Sequence, residues 1–184
     1  MALSSSLVPL GTPVPDFTLP DVHGTSHSLA DFTAPVLVVV FACNHCPYVR
    51  HIEDRLGTLA PGPTLDVVAI CSNDAERYPD DSAEHLAEQA SRSGWSFPYL
   101  VDLDQSVARA FDAVCTPDFF VYGPDRRLAY RGAFDAATPG NDEPVTGQEL
   151  RDAITLVAAG SAVPEPHRPS RGCGIKWLPG KEPA

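Results

Sequence analysis

An α/β fold with a central mixed β-sheet flanked by helices is what this sequence of 184 residues predicts. Three observations point to it. Two apolar runs, residues 35–41 without a charge and residues 65–71 with Asp66 alone, read as strands buried on both faces. Each is followed by a segment with apolar residues at helical spacing. A strand hairpin with turn residues at its centre lies at either end of the body, and the second is followed by one more helical pattern.

In order, Asp16-Phe17-Thr18-Leu19-Pro20 and Thr25-Ser26-His27-Ser28-Leu29 flank Asp21-Val22-His23-Gly24, which predicts a hairpin. Residues 1–15, rich in Pro and Ser, are expected to wrap the surface. The strand over 35–41 leads into a helix over 47–60, with Val49, Ile52, Leu56 and Leu59 on one face and Pro61-Gly62-Pro63 as its stop. After the second buried strand comes a polar loop. Asp81 and Glu84 have the spacing of a capping box for a helix ending near Ser93-Gly94. Residues 97–101 read as a strand whose Pro98 places it at an edge or a strand start. Asp104 is read as the cap of a short helix carrying Val107, Ala110 and Phe111. Residues 118–122 and 128–131 form the second hairpin, and Thr146 with Glu149 cap a last helix carrying Leu150, Ala153, Ile154 and Val157. The body is thus residues 1–160, followed by a Pro-rich tail, 161–184.

The chemistry concentrates in Cys43-Asn44-His45-Cys46-Pro47, where the first buried strand gives way to its helix. Unpaired N–H groups and the dipole at a helix start stabilise an anion, so a cysteine there has a lowered pKa and becomes a nucleophile. Two intervening residues let both sulfurs meet on one turn. The pair reads as a redox dithiol with Cys43 expected to ionise first, and His45 as the residue that tunes the thiolate. A zinc site needs a second short-spaced pair or nearby histidines. Cys71, Cys115 and Cys173 are scattered, so no metal and no cofactor is expected.

A formal charge of −11 argues against nucleic acid and anionic membrane partners. The first residues carry neither a basic segment nor a long apolar one, and five cysteines in no scaffold-like spacing fit a reducing cytoplasm. The tail differs from the body. Arg168, Arg171, Lys176 and Lys181 outnumber Glu165 and Glu182, and Gly172-Cys173-Gly174-Ile175-Lys176-Trp177 is not disordered in composition. This segment is expected to fold back with Trp177 as anchor and Cys173 near the active-site face. Cys115, two residues before Pro117, and Cys173 are the candidate accessory thiols.

The Cys43/Cys46 motif, the run Cys115-Thr116-Pro117-Asp118-Phe119-Phe120 and the terminal ββα order together resemble the thioredoxin-like superfamily. Asp16-Phe17-Thr18-Leu19-Pro20 leading to Leu29-Ala30-Asp31-Phe32 resembles its redoxin/AhpC–TSA branch. Cys43-Asn44-His45-Cys46-Pro47-Tyr48-Val49 with the Gly172–Trp177 tail looks like a peroxiredoxin-like bacterial group. The resemblance implies that Cys43 attacks and Cys46 resolves. It also implies that Pro117 is a cis-proline facing the dithiol, and that Thr116 offers backbone hydrogen bonds to a bound peptide. The threonine that peroxiredoxins carry three positions before their attacking cysteine is replaced here by Val40.

The expected activity is cytoplasmic thiol–disulfide exchange on a protein or small-molecule disulfide, with a thiol reductant such as thioredoxin as the partner. The alternatives are an antioxidant, peroxiredoxin-like reductase acting on peroxide, and a copper- or zinc-binding carrier of the same fold using Cys43, Cys46 and a histidine. No sequence feature fixes the oligomeric state.

Overall fold

The computed structural model describes residues 2–5 and 8–182. Of the stretch expected to wrap the surface, residues 1, 6 and 7 lie outside the described residues, as do residues 183–184 of the tail. The strands are β1 (Ala2–Ser4), β2 (Thr18–Pro20), β3 (Ser26–Ser28), β4 (Val36–Phe41), β5 (Leu65–Cys71), β6 (Tyr99–Val101), β7 (Cys115–Thr116), β8 (Asp118–Tyr122), β9 (Leu128–Gly132) and β10 (Arg171–Gly174). The α-helices are α1 (Pro47–Leu56), α2 (Ala83–Arg92), α3 (Ser106–Ala110) and α4 (Gln148–Ala158).

The central sheet has the order β6-β5-β4-β8-β9. β4 pairs parallel with β5 and antiparallel with β8, which makes the sheet mixed. β4 is buried along its whole length because its alternate side chains enter two separate cores. Val36, Val38 and Val40 pack with Val49, Ile52 and Leu56 of α1 and with Leu150, Ala153 and Val157 of α4. Leu37, Val39 and Phe41 face Phe17, Phe32, Val107, Phe111 and Phe120. In that second core Phe111 meets Phe41 and Phe120 edge-on, at centroid distances of 5.4 Å and 5.5 Å. Edge-to-face pairs of this kind add about 0.5–1.5 kcal/mol each beyond simple burial.

β2 and β3 form the expected hairpin, and β6 stands at the sheet edge. α1 stops at Leu56 rather than near residue 60, and its cap residue Gly57 packs against the Ser93 carbonyl, where a Cβ would collide at 2.0 Å. Residues 61–63 lie beyond the helix end. Gly147 is the N-cap residue of α4. The expected Thr146 hydroxyl accepts Gln148 N–H at 3.2 Å, and the Asp135 carboxylate, which the local sequence does not reveal, takes the Gly147 N–H at 2.6 Å.

A second, three-stranded sheet has the order β1-β10-β7, all antiparallel. It joins both chain ends to the segment just before Pro117. Ile175 beyond it is buried in the second core, and Trp177 packs on that core with the Arg109 guanidinium 5.7 Å over its ring. Gln105, buried and in left-handed backbone at φ 63°, clasps this stretch. Its amide donates to the Lys176 carbonyl at 2.9 Å and accepts from Leu178 N–H at 2.7 Å.

Candidate active site

β4 delivers the chain to Cys43, and Cys46 is the N-cap residue of α1, with Pro47 in the first turn where its missing N–H costs nothing. The loop between the two is fixed by one buried carboxylate. Asp81 Oδ1 accepts Asn44 N–H at 2.8 Å and His45 N–H at 3.0 Å. Its Oδ2 accepts His45 Nδ1 at 2.5 Å and Asn73 Nδ2 at 2.8 Å. Burial pushes the Asp81 carboxyl up, but the donors of His45 and Asn73 outweigh it, and the group stays below its ordinary value. Asp81 had the spacing of a helix cap. The cap of α2 is instead Ser82, whose hydroxyl accepts from His85 N–H. No local pattern could reveal the true role of Asp81, because its partners lie 36 and 37 residues away.

The two cysteines are both buried but electrostatically unlike. Burial pushes the Cys43 thiol well above its usual value, and its hydrogen bond to Cys46 and the Asp81 charge push the same way. Cys46 is lowered to about 5 because the Cys43 thiol donates to it. Burial works against that, and the neighbouring Cys173 and the first turn of α1 add to it. One contact favours the neutral form: the Cys46 thiol lies 3.1 Å from the Thr116 carbonyl oxygen, to which it donates when protonated. The directions of the two shifts favour the negative charge on Cys46 rather than on Cys43, which faces the Asp81 carboxylate, and this is the reverse of the expected order.

His45 Nδ1 is 3.8 Å from Cys43 Sγ, but the same nitrogen is committed to Asp81, so it is no base for the thiol. The ring stacks on Tyr78 at 5.3 Å. Thr116 Oγ1 lies 3.2 Å from Cys43 Sγ, and the Thr116–Pro117 peptide bond is cis. Cys115 is turned away from the dithiol, with its buried thiol donating to the Pro117 carbonyl at 3.7 Å. Cys71 ends β5 and is buried. Cys173 pairs with Thr116 across β10 and β7 and reaches Cys46.

Cys43 Sγ, His45 Nδ1 and an Asp81 oxygen lie within 4.8 Å of one another, a donor set of the type zinc takes. It does not fit a metal as arranged. Both Asp81 oxygens are filled by N–H donors, and His45 Nδ1 carries the proton it gives to Asp81.

Residues 10–131 match the AhpC/TSA family model. The chain belongs to the AhpC/TSA family. The whole chain is also similar to solved structures. One is a hypothetical protein from Sinorhizobium meliloti 1021, at 46% identity and a TM-score of 0.94, covering 96% of this chain and 99% of that one. Another is an uncharacterized conserved protein from Geobacillus kaustophilus, at 43% identity and a TM-score of 0.94, covering 98% of each chain. A thiol:disulfide interchange protein of the thioredoxin family from Chlorobium tepidum TLS matches at 17% identity and a TM-score of 0.61, covering 83% of this chain and 99% of that one. No curated protein matches. The sheet and its helices are those of the thioredoxin-like fold, in its redoxin/AhpC–TSA branch. Among the described residues no helix is long and apolar enough to cross a membrane.

Other buried polar residues around the site were not legible in the sequence. Asn73 and Asp74 bind the tail backbone at Lys176, and Gln89 reaches the Cys43 carbonyl at 3.5 Å while holding Glu53 at 2.8 Å. Each is polar and buried, a signal that only tertiary structure supplies.

Proposed function

We propose that the chain is a thiol–disulfide oxidoreductase whose working pair is Cys43 and Cys46. The observation that carries this reading is the placement of both cysteines at the start of α1 against one residue, with Cys46 Sγ 3.1 Å from the Thr116 carbonyl oxygen and Cys43 Sγ 3.2 Å from the Thr116 hydroxyl, just before cis-Pro117. A thiolate at Cys46 attacks one sulfur of a substrate disulfide and releases the other as a thiolate. Cys43 then gives up its proton, attacks Cys46 Sγ and expels the second substrate thiolate. The substrate gains two electrons and the protein holds a Cys43–Cys46 disulfide, which a thiol reductant reopens. Asp81 keeps charge off Cys43 and, through His45, holds the loop in place. Thr116 and Pro117 form the wall on the substrate side. Disulfide-containing molecules are the substrate class, in a reducing compartment such as the cytoplasm.

Peroxide reduction is the second reading, and one observation favours it. The Thr116 hydroxyl stands 3.2 Å from Cys43 Sγ, so a hydroxyl that Val40 cannot supply comes from another part of the chain. The raised Cys43 thiol works against it. Reduction of insulin and consumption of hydrogen peroxide should be measured side by side for wild type, Cys43→Ser and Cys46→Ser. Disulfide reduction that both substitutions abolish supports the dithiol. Turnover that survives Cys46→Ser sinks it.

A further inference from the structure

The second sheet holds an arrangement that the dithiol alone leaves unused. We propose that β10 is a resident substrate strand. It fills in cis the edge of β7 beside Pro117 and presents Cys173 to Cys46 for thiol–disulfide exchange. This inference rests on the dithiol reading above.

An extended segment laid along an exposed strand edge is how a polypeptide is bound by backbone pairing. Here the chain provides that segment itself, in the register Cys173↔Thr116 and Gly174↔Cys115. The fit is close. A Cβ at Gly172 would meet the Thr116 carbonyl oxygen at 1.9 Å, so only glycine lets the strand lie this near. The strand is also anchored on both sides. Ser5 N–H donates to the Ser170 carbonyl at 2.9 Å, and Lys176 N–H donates to Asn73 Oδ1 at 2.8 Å. An external polypeptide therefore finds this edge taken.

Access makes the same point. Cys43 and Cys46 are fully buried, while Cys173, which packs on the core cluster holding Cys46 and pairs with the Thr116 that Cys46 touches, is partly exposed. Of these three cysteines it is the one that is not fully buried. In the reduced protein burial and the neighbouring Cys46 hold the Cys173 thiol up at about 11. Once Cys43 and Cys46 are joined, Cys46 carries no charge, and the Lys176 ammonium still favours a Cys173 thiolate.

The exchange then balances without an oxidant. Cys173 loses its proton and attacks Cys46 Sγ. The Cys46–Cys173 bond forms, the Cys43–Cys46 bond breaks, and Cys43 leaves as a thiolate that takes up the proton. An external dithiol next attacks Cys173 Sγ and frees Cys46. Its second thiol displaces Cys173, leaving the protein reduced and the dithiol oxidised.

The test uses full-length chains, reduced, freed of reductant, oxidised with diamide, quenched in acid with N-ethylmaleimide and mapped by peptide mass. Wild type is expected to yield both Cys43–Cys46 and Cys46–Cys173 peptides. Cys43→Ser is expected to lose two alkylatable thiols to a Cys46–Cys173 link, and Cys173→Ser to give Cys43–Cys46 alone. Absence of the Cys46–Cys173 peptide from both wild type and Cys43→Ser overturns the proposal, and the wild-type result stands even if a variant fails to fold. Absence of Cys43–Cys46 from both wild type and Cys173→Ser sinks the dithiol reading instead, so the missing peptide tells which idea failed.

Discussion

The five-stranded and three-stranded sheets meet at residues 115–118, where β7 passes through Pro117 into β8, and different physics holds each together. The first is a hydrophobic construction, with every residue of β4 buried between two apolar layers. The second has almost no apolar pattern. β10 reads Arg-Gly-Cys-Gly, and it is placed by backbone pairing on two sides and by polar anchors from Ser5, Asn73 and Gln105. A packed strand resists change everywhere along its length, whereas a strand held by backbone fit depends on a few positions where backbones come close. The dithiol lies between them, with Cys43 at the end of the first sheet and Cys46 against the second.

The comparison can be broken most forcefully from the apolar side. Phe41→Ala should cost about 3–5 kcal/mol, the range for truncating a buried aromatic. It should be read as a fall in denaturation midpoint with an unchanged slope. Gly172→Val should cost less, about 1–3 kcal/mol, but it should act on the site. The side chain collides with the Thr116 carbonyl, so β10 is pushed from β7 and Cys46 should be alkylated faster. A Gly172→Val chain with unchanged Cys46 reactivity would show that the edge is not held as described. Arg109→Ala should have the smallest effect. It removes the guanidinium over Trp177 and its bond to the Lys181 carbonyl, worth about 0.5–1 kcal/mol at an exposed site. Hydrogen exchange should quicken in residues 175–181 and stay unchanged in β4.

The same contrast explains what could be read from the chain alone. β4, β5 and their helices are legible because apolar runs rich in β-branched residues and helical spacing have few other solutions. Cys43 and Cys46 are legible because their spacing and place at a strand–helix junction carry a mechanism. The pairing of β10 with β7 is not, because Gly-Cys-Gly has no periodicity and its partner lies more than fifty residues away. Asp81 shows the commoner failure. Its local pattern suits a helix cap, and a tertiary demand for a buried acceptor outcompeted that pattern. The order of ionisation that the shifts favour was illegible for the same reason, since the tail brings Cys173 to the strand edge that Cys46 touches.

Charge on Cys46 also leaves a mark on stability. Its pKa is lowered on folding, to about 5, so its contribution is present above the ordinary thiol range and is lost as pH falls toward that value. The shifts of Cys43 and Cys173 are upward and act at higher pH. Reduced wild type should therefore gain stability as pH rises from about 5 to about 9, and Cys46→Ser should lose most of that slope.

The most direct test is the pH dependence of alkylation of the reduced full-length protein, with each labelled cysteine identified by peptide mass. Cys46 should be modified first, with a rate that follows a group ionising near pH 5, while Cys43 stays unreactive until well above the usual thiol range. In Cys173→Ala the Cys46 midpoint should move upward, because the side-chain donor at that position is gone. Modification of Cys43 ahead of Cys46, or a Cys46 profile no different from that of an ordinary thiol, would contradict the assignment of the thiolate to Cys46.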